Sequence, residues 1–267
     1  MAWALCAGQG IYWQGFGSGA RRVLAIHCGL AHSGAWRSVA SALGNDLALT
    51  AFDLPGHGES DPWDGQGDYG ARCVEVAGAF LKEPMDVIGH SMGALVALRL
   101  ALRQPDKIRS LVLIEPVLFA AARGFAEYDQ HETEMAPYYA ALEDGDLAAA
   151  VRAFTDVWGS GVPMREAQLK SAVSRIHLVT AARGLNYDLD HEVLQDGALD
   201  GLRMPVLILR GAKSPAIISR VAEELSRRLA IARVRTVEGA GHMLPLTHPV
   251  EVAALIGPFL SGAASRG

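Results

Sequence analysis

The chain has 267 residues, half of them hydrophobic, enough to bury a sizeable core as one large domain or two small ones. A net charge of −5, with Lys and Arg scattered along the chain, gives no electrostatic reason to expect nucleic acid or an anionic membrane as partner. Cys6, Cys28 and Cys73 are irregularly spaced and fit free thiols better than a disulfide framework. No apolar run is long enough to span a bilayer, and the first eight residues carry no basic, apolar leader, so the expected location is the cytoplasm.

In chain order, Ile11-Tyr12-Trp13 reads as a strand, with Gly15, Gly17 and Gly19 in the turn after it. Val23-Leu24-Ala25-Ile26-His27 is a continuous apolar run of the kind buried on both faces of a sheet. A loop over residues 28–34 leads to a helix beginning near Ala35-Trp36. A strand over 47–53 then enters the turn Leu54-Pro55-Gly56-His57-Gly58-Glu59-Ser60. Helical spacing over 72–82 precedes the short apolar run Met85-Asp86-Val87-Ile88, which stops at Gly89. A helix over 95–103 ends before Pro105, and 110–114 is again a buried strand.

The alternation then breaks. From Pro116 to about Leu202 only helical stretches around 147–157 and 169–180 can be recognised. It resumes with a strand over 205–211, a helix over 218–229, a strand over 233–237 and a last helix over 250–260. Such a rhythm predicts an α/β fold, a mostly parallel sheet with helices on both faces. Residues 1–115 and 203–267 would form its core. Residues 116–202 would be a helical insertion at one strand's carboxyl end, where open α/β sheets bind ligands, and therefore a lid.

The chemistry is concentrated at Gly89-His90-Ser91-Met92-Gly93, a G-x-S-x-G pattern lodged between an apolar strand and a helix. A sharp strand-to-helix turn there lifts the Ser91 hydroxyl to the apex, over a helix N-terminus that favours negative charge. A serine nucleophile needs a base, and the base needs an orienting acid. His242, in a glycine-rich loop after the last strand, is the candidate base. His32 is its one rival, from a loop that can line the pocket. The other histidines are assigned structural places: His27 at a strand end, His57 in a tight turn, His90 turned away from the site, His131, His177 and His191 on the lid surface, and His248 before a helix. A tetrahedral oxyanion needs two N–H donors, for which Met92 and Gly29 are expected, with Leu30 next to them. Cys28 is read as a small packing residue. His27 and His32 lack the spacing and partners of a metal site, so no metal or cofactor is expected.

These residues resemble the α/β-hydrolase superfamily over nearly the whole chain. The carriers are His27 with Trp36 nine residues on, the turn Asp53-Leu54-Pro55-Gly56-His57-Gly58-Glu59-Ser60, the GHSMG segment, and Gly239-Ala240-Gly241-His242. One departure stands out. Most relatives place the acid in a Gly-x-x-Asp segment after the next-to-last strand, whereas this chain reads Gly211-Ala212-Lys213-Ser214. The resemblance supplies a substitute, because some related hydrolases carry a glutamate after the strand that follows the nucleophile's strand. Here that residue is Glu115; Asp188 and Asp190 are the alternatives, and Glu238 is read as a surface residue. Trp36, Phe119, Phe125, Tyr138, Tyr139 and Trp158 are candidates for lining an apolar acyl or alcohol pocket, or else for packing lid on body.

The expectation is a serine hydrolase that cleaves a carboxylic ester, or a related small acyl substrate, through an acyl-enzyme formed on Ser91. Thioesterase, lactonase and carbon–carbon bond hydrolase are the neighbouring possibilities. A low-turnover small-molecule receptor and an acyltransferase or perhydrolase are those of another class. The sequence carries no signal of oligomeric state.

Overall fold

A computed structural model describes residues 1–162, 164–184 and 193–263. Among them eight strands form one sheet. In chain order the elements are β1 (Ala2–Cys6), β2 (Gln9–Phe16), β3 (Arg21–Ile26), α1 (Arg37–Leu43), β4 (Leu47–Phe52), α2 (Tyr69–Phe80), β5 (Met85–His90), α3 (Met92–Arg103) and β6 (Ile108–Ile114). Then follow α4 (Ala126–Glu143), α5 (Leu147–Trp158), α6 (Glu166–Gly184), β7 (Val206–Gly211), α7 (Ala216–Arg228), β8 (Ala232–Val237), α8 (Leu244–Thr247) and α9 (Pro249–Ala263). The strands lie in the order β1-β2-β4-β3-β5-β6-β7-β8. β1, β2 and β4 pair antiparallel, and every pair from β4 to β8 is parallel.

The continuous apolar runs are strands because both faces of the sheet are covered. Leu24 and Ile26 of β3, Leu111 and Leu113 of β6, and Val206 and Ile208 of β7 join one core with α2, α3 and α7. The alternate residues Val23, Ala25, Val112, Ile114, Leu207 and Leu209 join the opposite core with α1 and α9. This two-residue alternation is what a pleated strand imposes. Each fully buried Val, Leu or Ile contributes ~1.5–3 kcal/mol. At the outer edge, β8 turns Arg233 and Arg235 to solvent, charges that discourage pairing with another strand.

The amino ends of the central strands are tied by a buried carboxylate. Asp86 accepts two hydrogen bonds from Arg21, at 2.7 and 2.9 Å, and one each from Arg109 and the Ser110 hydroxyl. Three adjacent strands are thereby fixed at the end remote from Ser91.

Between β6 and β7 the described residues include a 3-10 turn (Phe119–Ala122), the helices α4, α5 and α6, and no strand. α5 starts where Asp146 caps it by accepting from the Ala149 N–H. α4 lies outside the helical stretches anticipated from sequence. Its buried residues are His131, Met135 and Tyr138, a stripe at helical spacing whose first member is a histidine. No helix among the described residues is long and apolar enough to cross a membrane.

Candidate active site

The turn after β5 is built from close approaches. A Cβ on Gly93 would stand 2.3 Å from the Ile26 carbonyl oxygen, and one on Gly89 would stand 2.2 Å from that of Gly93. Only glycine lets α3 pass so near the end of β3. Ser91 itself takes φ 55 and ψ −118, an unusual conformation for a residue with a side chain, and its N–H donates to the Ile114 carbonyl at 2.8 Å. Met92 follows as the first residue of α3, so its N–H has no partner within the helix.

His242 comes to this turn from the loop after β8. Its Nε2 is 3.0 Å from Ser91 Oγ, and its Nδ1 is 2.8 Å from Glu115 Oε2. His90 secures the loop from below, its Nε2–H donating to the His242 carbonyl at 2.9 Å. Burial, followed by the neighbouring His242, pushes the His90 imidazole down to about 3, so it stays neutral. From α5, the Trp158 ring meets the His242 ring edge-on with centroids 4.6 Å apart.

Glu115 is fully buried just past β6 and has a positive φ of 52. Its other oxygen, Oε1, accepts from the Gly211 N–H at 2.6 Å and from the Ser214 hydroxyl at 2.8 Å. Ser214 therefore donates to the carboxylate that faces His242. The buried carboxylate thus has three hydrogen-bond partners. Asp188 and Asp190 lie outside the described residues. Glu238 is exposed.

Above Ser91 opens a cavity of about 780 Å³. Gly29, Leu30, Ser91, Met92 and His242 line its floor, and Phe119, Tyr138 and Trp158 line it from residues 116–202. Trp36 does not. It closes a 3-10 turn into α1 and packs with Val39 and Ala40 on the opposite face of the sheet, so its expected place in the pocket is corrected. Phe125 and Tyr139 also lie outside the lining. Phe125 sits under the Arg220 guanidinium, and Tyr139 packs on Tyr138.

A second correction concerns His131, expected on the lid surface. It is buried, lines the cavity, and lies 4.4 Å from the Phe119 ring centroid. Its spacing from Met135 and Tyr138 was the available signal, masked by reading histidine as polar. His177 is exposed, and His191 lies outside the described residues. His32 lines the cavity and uses Nδ1 to accept from the Gly34 N–H, capping the 3-10 turn. Cys28 is buried beside the cavity, where burial pushes its thiol up to about 12. No cluster of three or more His, Cys, Asp or Glu suited to a metal occurs among the described residues.

The chain matches the model of the alpha/beta hydrolase family over residues 23–255. It is 32% identical over 219 residues to a pimeloyl-[acyl-carrier protein] methyl ester esterase of Neisseria meningitidis serogroup B, covering 80% of this chain and 83% of that one. It is 30% identical over 251 residues to the lipase LipV of Mycobacterium tuberculosis, covering 90% and 93%. Among solved structures, a serine hydrolase involved in carbazole degradation superposes with a TM-score of 0.74 at 16% identity, covering 97% of this chain and 98% of that one; at that identity the likeness is one of fold.

Proposed function

Since the chain belongs to the alpha/beta hydrolase family and is an ester-cleaving enzyme of it, we propose that Ser91 is its nucleophile and that it works through an acyl-enzyme. Ser91 Oγ attacks the ester carbonyl carbon while His242 Nε2 takes the serine proton. Glu115 holds the imidazole with Nδ1–H directed at its own carboxylate and stabilises the imidazolium that forms. The Gly29 and Met92 N–H groups receive the oxyanion. When the tetrahedral adduct collapses, the alcohol leaves with the proton from His242. Water, deprotonated by the same imidazole, then releases the acid and restores Ser91.

One observation carries this reading: the unbroken chain of contacts from Ser91 Oγ through His242 to Glu115, at 3.0 and 2.8 Å. A hydroxyl at position 214 favours a low-turnover receptor, whereas the Glu115 carboxylate 2.8 Å from His242 Nδ1 supports the enzyme. Residues 116–202 act as the lid in this reading. The cavity beneath them suits a carboxylic ester with an apolar acyl or alcohol group, of a size that about 780 Å³ accommodates.

The test is hydrolysis of p-nitrophenyl esters of increasing chain length by the native protein and by Ser91→Ala. Loss of turnover with Ser91→Ala, and a burst of p-nitrophenol before the steady state in the native protein, are expected. Equal rates for the two proteins would remove the mechanism.

A further inference from the structure

Two histidines outside the proton relay grip the loop that carries Gly29. The peptide joining Cys28 to Gly29 is a trans plane, so its carbonyl and the Gly29 N–H point in opposite directions. That carbonyl accepts from His27 Nδ1–H at 2.7 Å and from the Ala31 N–H at 3.3 Å. The orientation of the Gly29 N–H is thereby set from its far side. The next peptide, Gly29 to Leu30, has its N–H donating to His57 Nε2 at 3.3 Å. Leu30 has a φ of 63, a left-handed conformation that a leucine rarely adopts unless something holds it.

Each imidazole has one possible tautomer. His27 Nε2 accepts the Leu54 N–H at 2.9 Å, so its proton is on Nδ1. His57 Nε2 accepts from Leu30, so its proton is on Nδ1 as well, 3.2 Å from the Pro55 carbonyl. Tyr69 donates its hydroxyl to the same carbonyl and closes the far side of the His57 ring. Both rings are buried, with centroids 5.2 Å apart. Burial pushes His27 down to about 4 and His57 well below its ordinary value, so both remain neutral and keep an accepting nitrogen.

We propose that His27 and His57 are positioning residues for the oxyanion donor, gripping the peptide planes on either side of Gly29 so that its N–H faces the charge that develops on the substrate. The proposal rests on the Ser91 mechanism above. Neither imidazole touches substrate. Each removes freedom from a loop whose glycine would otherwise let the donor turn away.

The experiment compares His57→Leu with His57→Gln. A glutamine amide oxygen reaches about where Nε2 stands and can still accept from Leu30; leucine cannot. On p-nitrophenyl butyrate, His57→Leu is expected to lower kcat ~10- to 100-fold, less than outright loss of an oxyanion donor, with KM changed less than ~3-fold. The affinity for an alkyl boronic acid, which mimics the tetrahedral adduct, should fall by the same factor as kcat/KM. Glutamine should recover most of the loss. If the leucine variant does not fold, His57→Asn replaces it, since the shorter amide stops short of Leu30. Phosphonate titration of Ser91 counts competent sites in each variant. A kcat within ~2-fold of native in the leucine variant, or in the asparagine variant where it stands in, or a loss of kcat without loss of boronate affinity, would overturn the proposal. Turnover surviving Ser91→Ala would instead overturn the mechanism on which it rests.

Discussion

Replacing Glu115 with glutamine changes one atom and bears on the whole relay. The amide must place its oxygen and its NH2 group on the two sides of the old carboxylate. One side faces the Gly211 N–H and the Ser214 hydroxyl, at 2.6 and 2.8 Å; the other faces His242 Nδ1 at 2.8 Å. Ser214 can rotate its hydroxyl to accept from an NH2 group. The Gly211 N–H ends β7 and cannot. Turning the NH2 toward it leaves a buried donor unsatisfied, at about 1–3 kcal/mol, so the amide oxygen stays there in most molecules. The NH2 group then faces His242, whose Nδ1 must accept and whose proton moves to Nε2, against Ser91. An imidazole in that tautomer cannot take the serine proton. The equivalent change lowers kcat about 10⁴-fold in the serine proteases. Allowing for the minority of molecules with the amide turned, kcat for p-nitrophenyl butyrate is expected to fall ~10³- to 10⁴-fold. KM and the far-ultraviolet circular dichroism should stay near native. A Glu115→Gln protein retaining more than about a tenth of native kcat would refute the assignment of the acid and the reasoning about the amide.

Ser214→Ala removes one of two donors from Oε1 but leaves Gly211 and His242 in place, so kcat should fall less than ~10-fold; a loss matching that of Glu115→Gln would make Ser214 a principal. Trp158→Ala opens space beside the His242 ring and should move the preferred acyl chain toward longer esters in a chain-length series; an unchanged optimum would deny Trp158 a place in the pocket wall. His27, His57 and His90 are held neutral by burial, whereas in the unfolded chain each takes up a proton near pH ~6.5. The unfolded state binds more protons below that point. Stability is therefore whole above pH ~6.5 and falls as the pH drops toward the folded values of about 4 for His27 and about 3 for His90, by at most ~1.4 kcal/mol per pH unit for each. Urea unfolding at pH 7, 6 and 5 measures it, and a flat profile would contradict it. Burial pushes the Cys28 and Cys73 thiols up to about 12, so iodoacetamide at pH 8 should leave both unmodified in the folded protein and label them after denaturation.

Most of the sheet was legible because the strands from β3 to β7 are apolar on both faces, and punctuation by glycine and proline marked their ends. β1 was not. It is short, and its two exposed large apolar residues, Trp3 and Leu5, face solvent at the sheet edge, which disguises the pattern. α4 escaped for two reasons: it contains Pro137, and its buried stripe begins with His131. Ser91 and His242 were marked by the G-x-S-x-G turn and by the glycine-rich loop after the last strand, and Glu115 only by the resemblance; the structure brings the three side chains together. Trp36 was misplaced because its distance from His27 fixes its position along the loop and not the face of the sheet to which the following helix carries it. The tautomers of His27 and His57 were out of reach, since they depend on backbone groups of two separate segments, residues 28–30 and 54–55.

Glu115 is also the residue immediately before Pro116, where the chain leaves β6 for the helices that roof the cavity. The acid proposed above and the entry to residues 116–202 are thus consecutive in one backbone. That first joint lies one peptide bond from the residue whose Oε2 stands 2.8 Å from His242 Nδ1. Anyone exchanging the proposed lid for another to redirect selectivity should splice beyond Leu118, which is itself fully buried, so that the joint travels with the sheet.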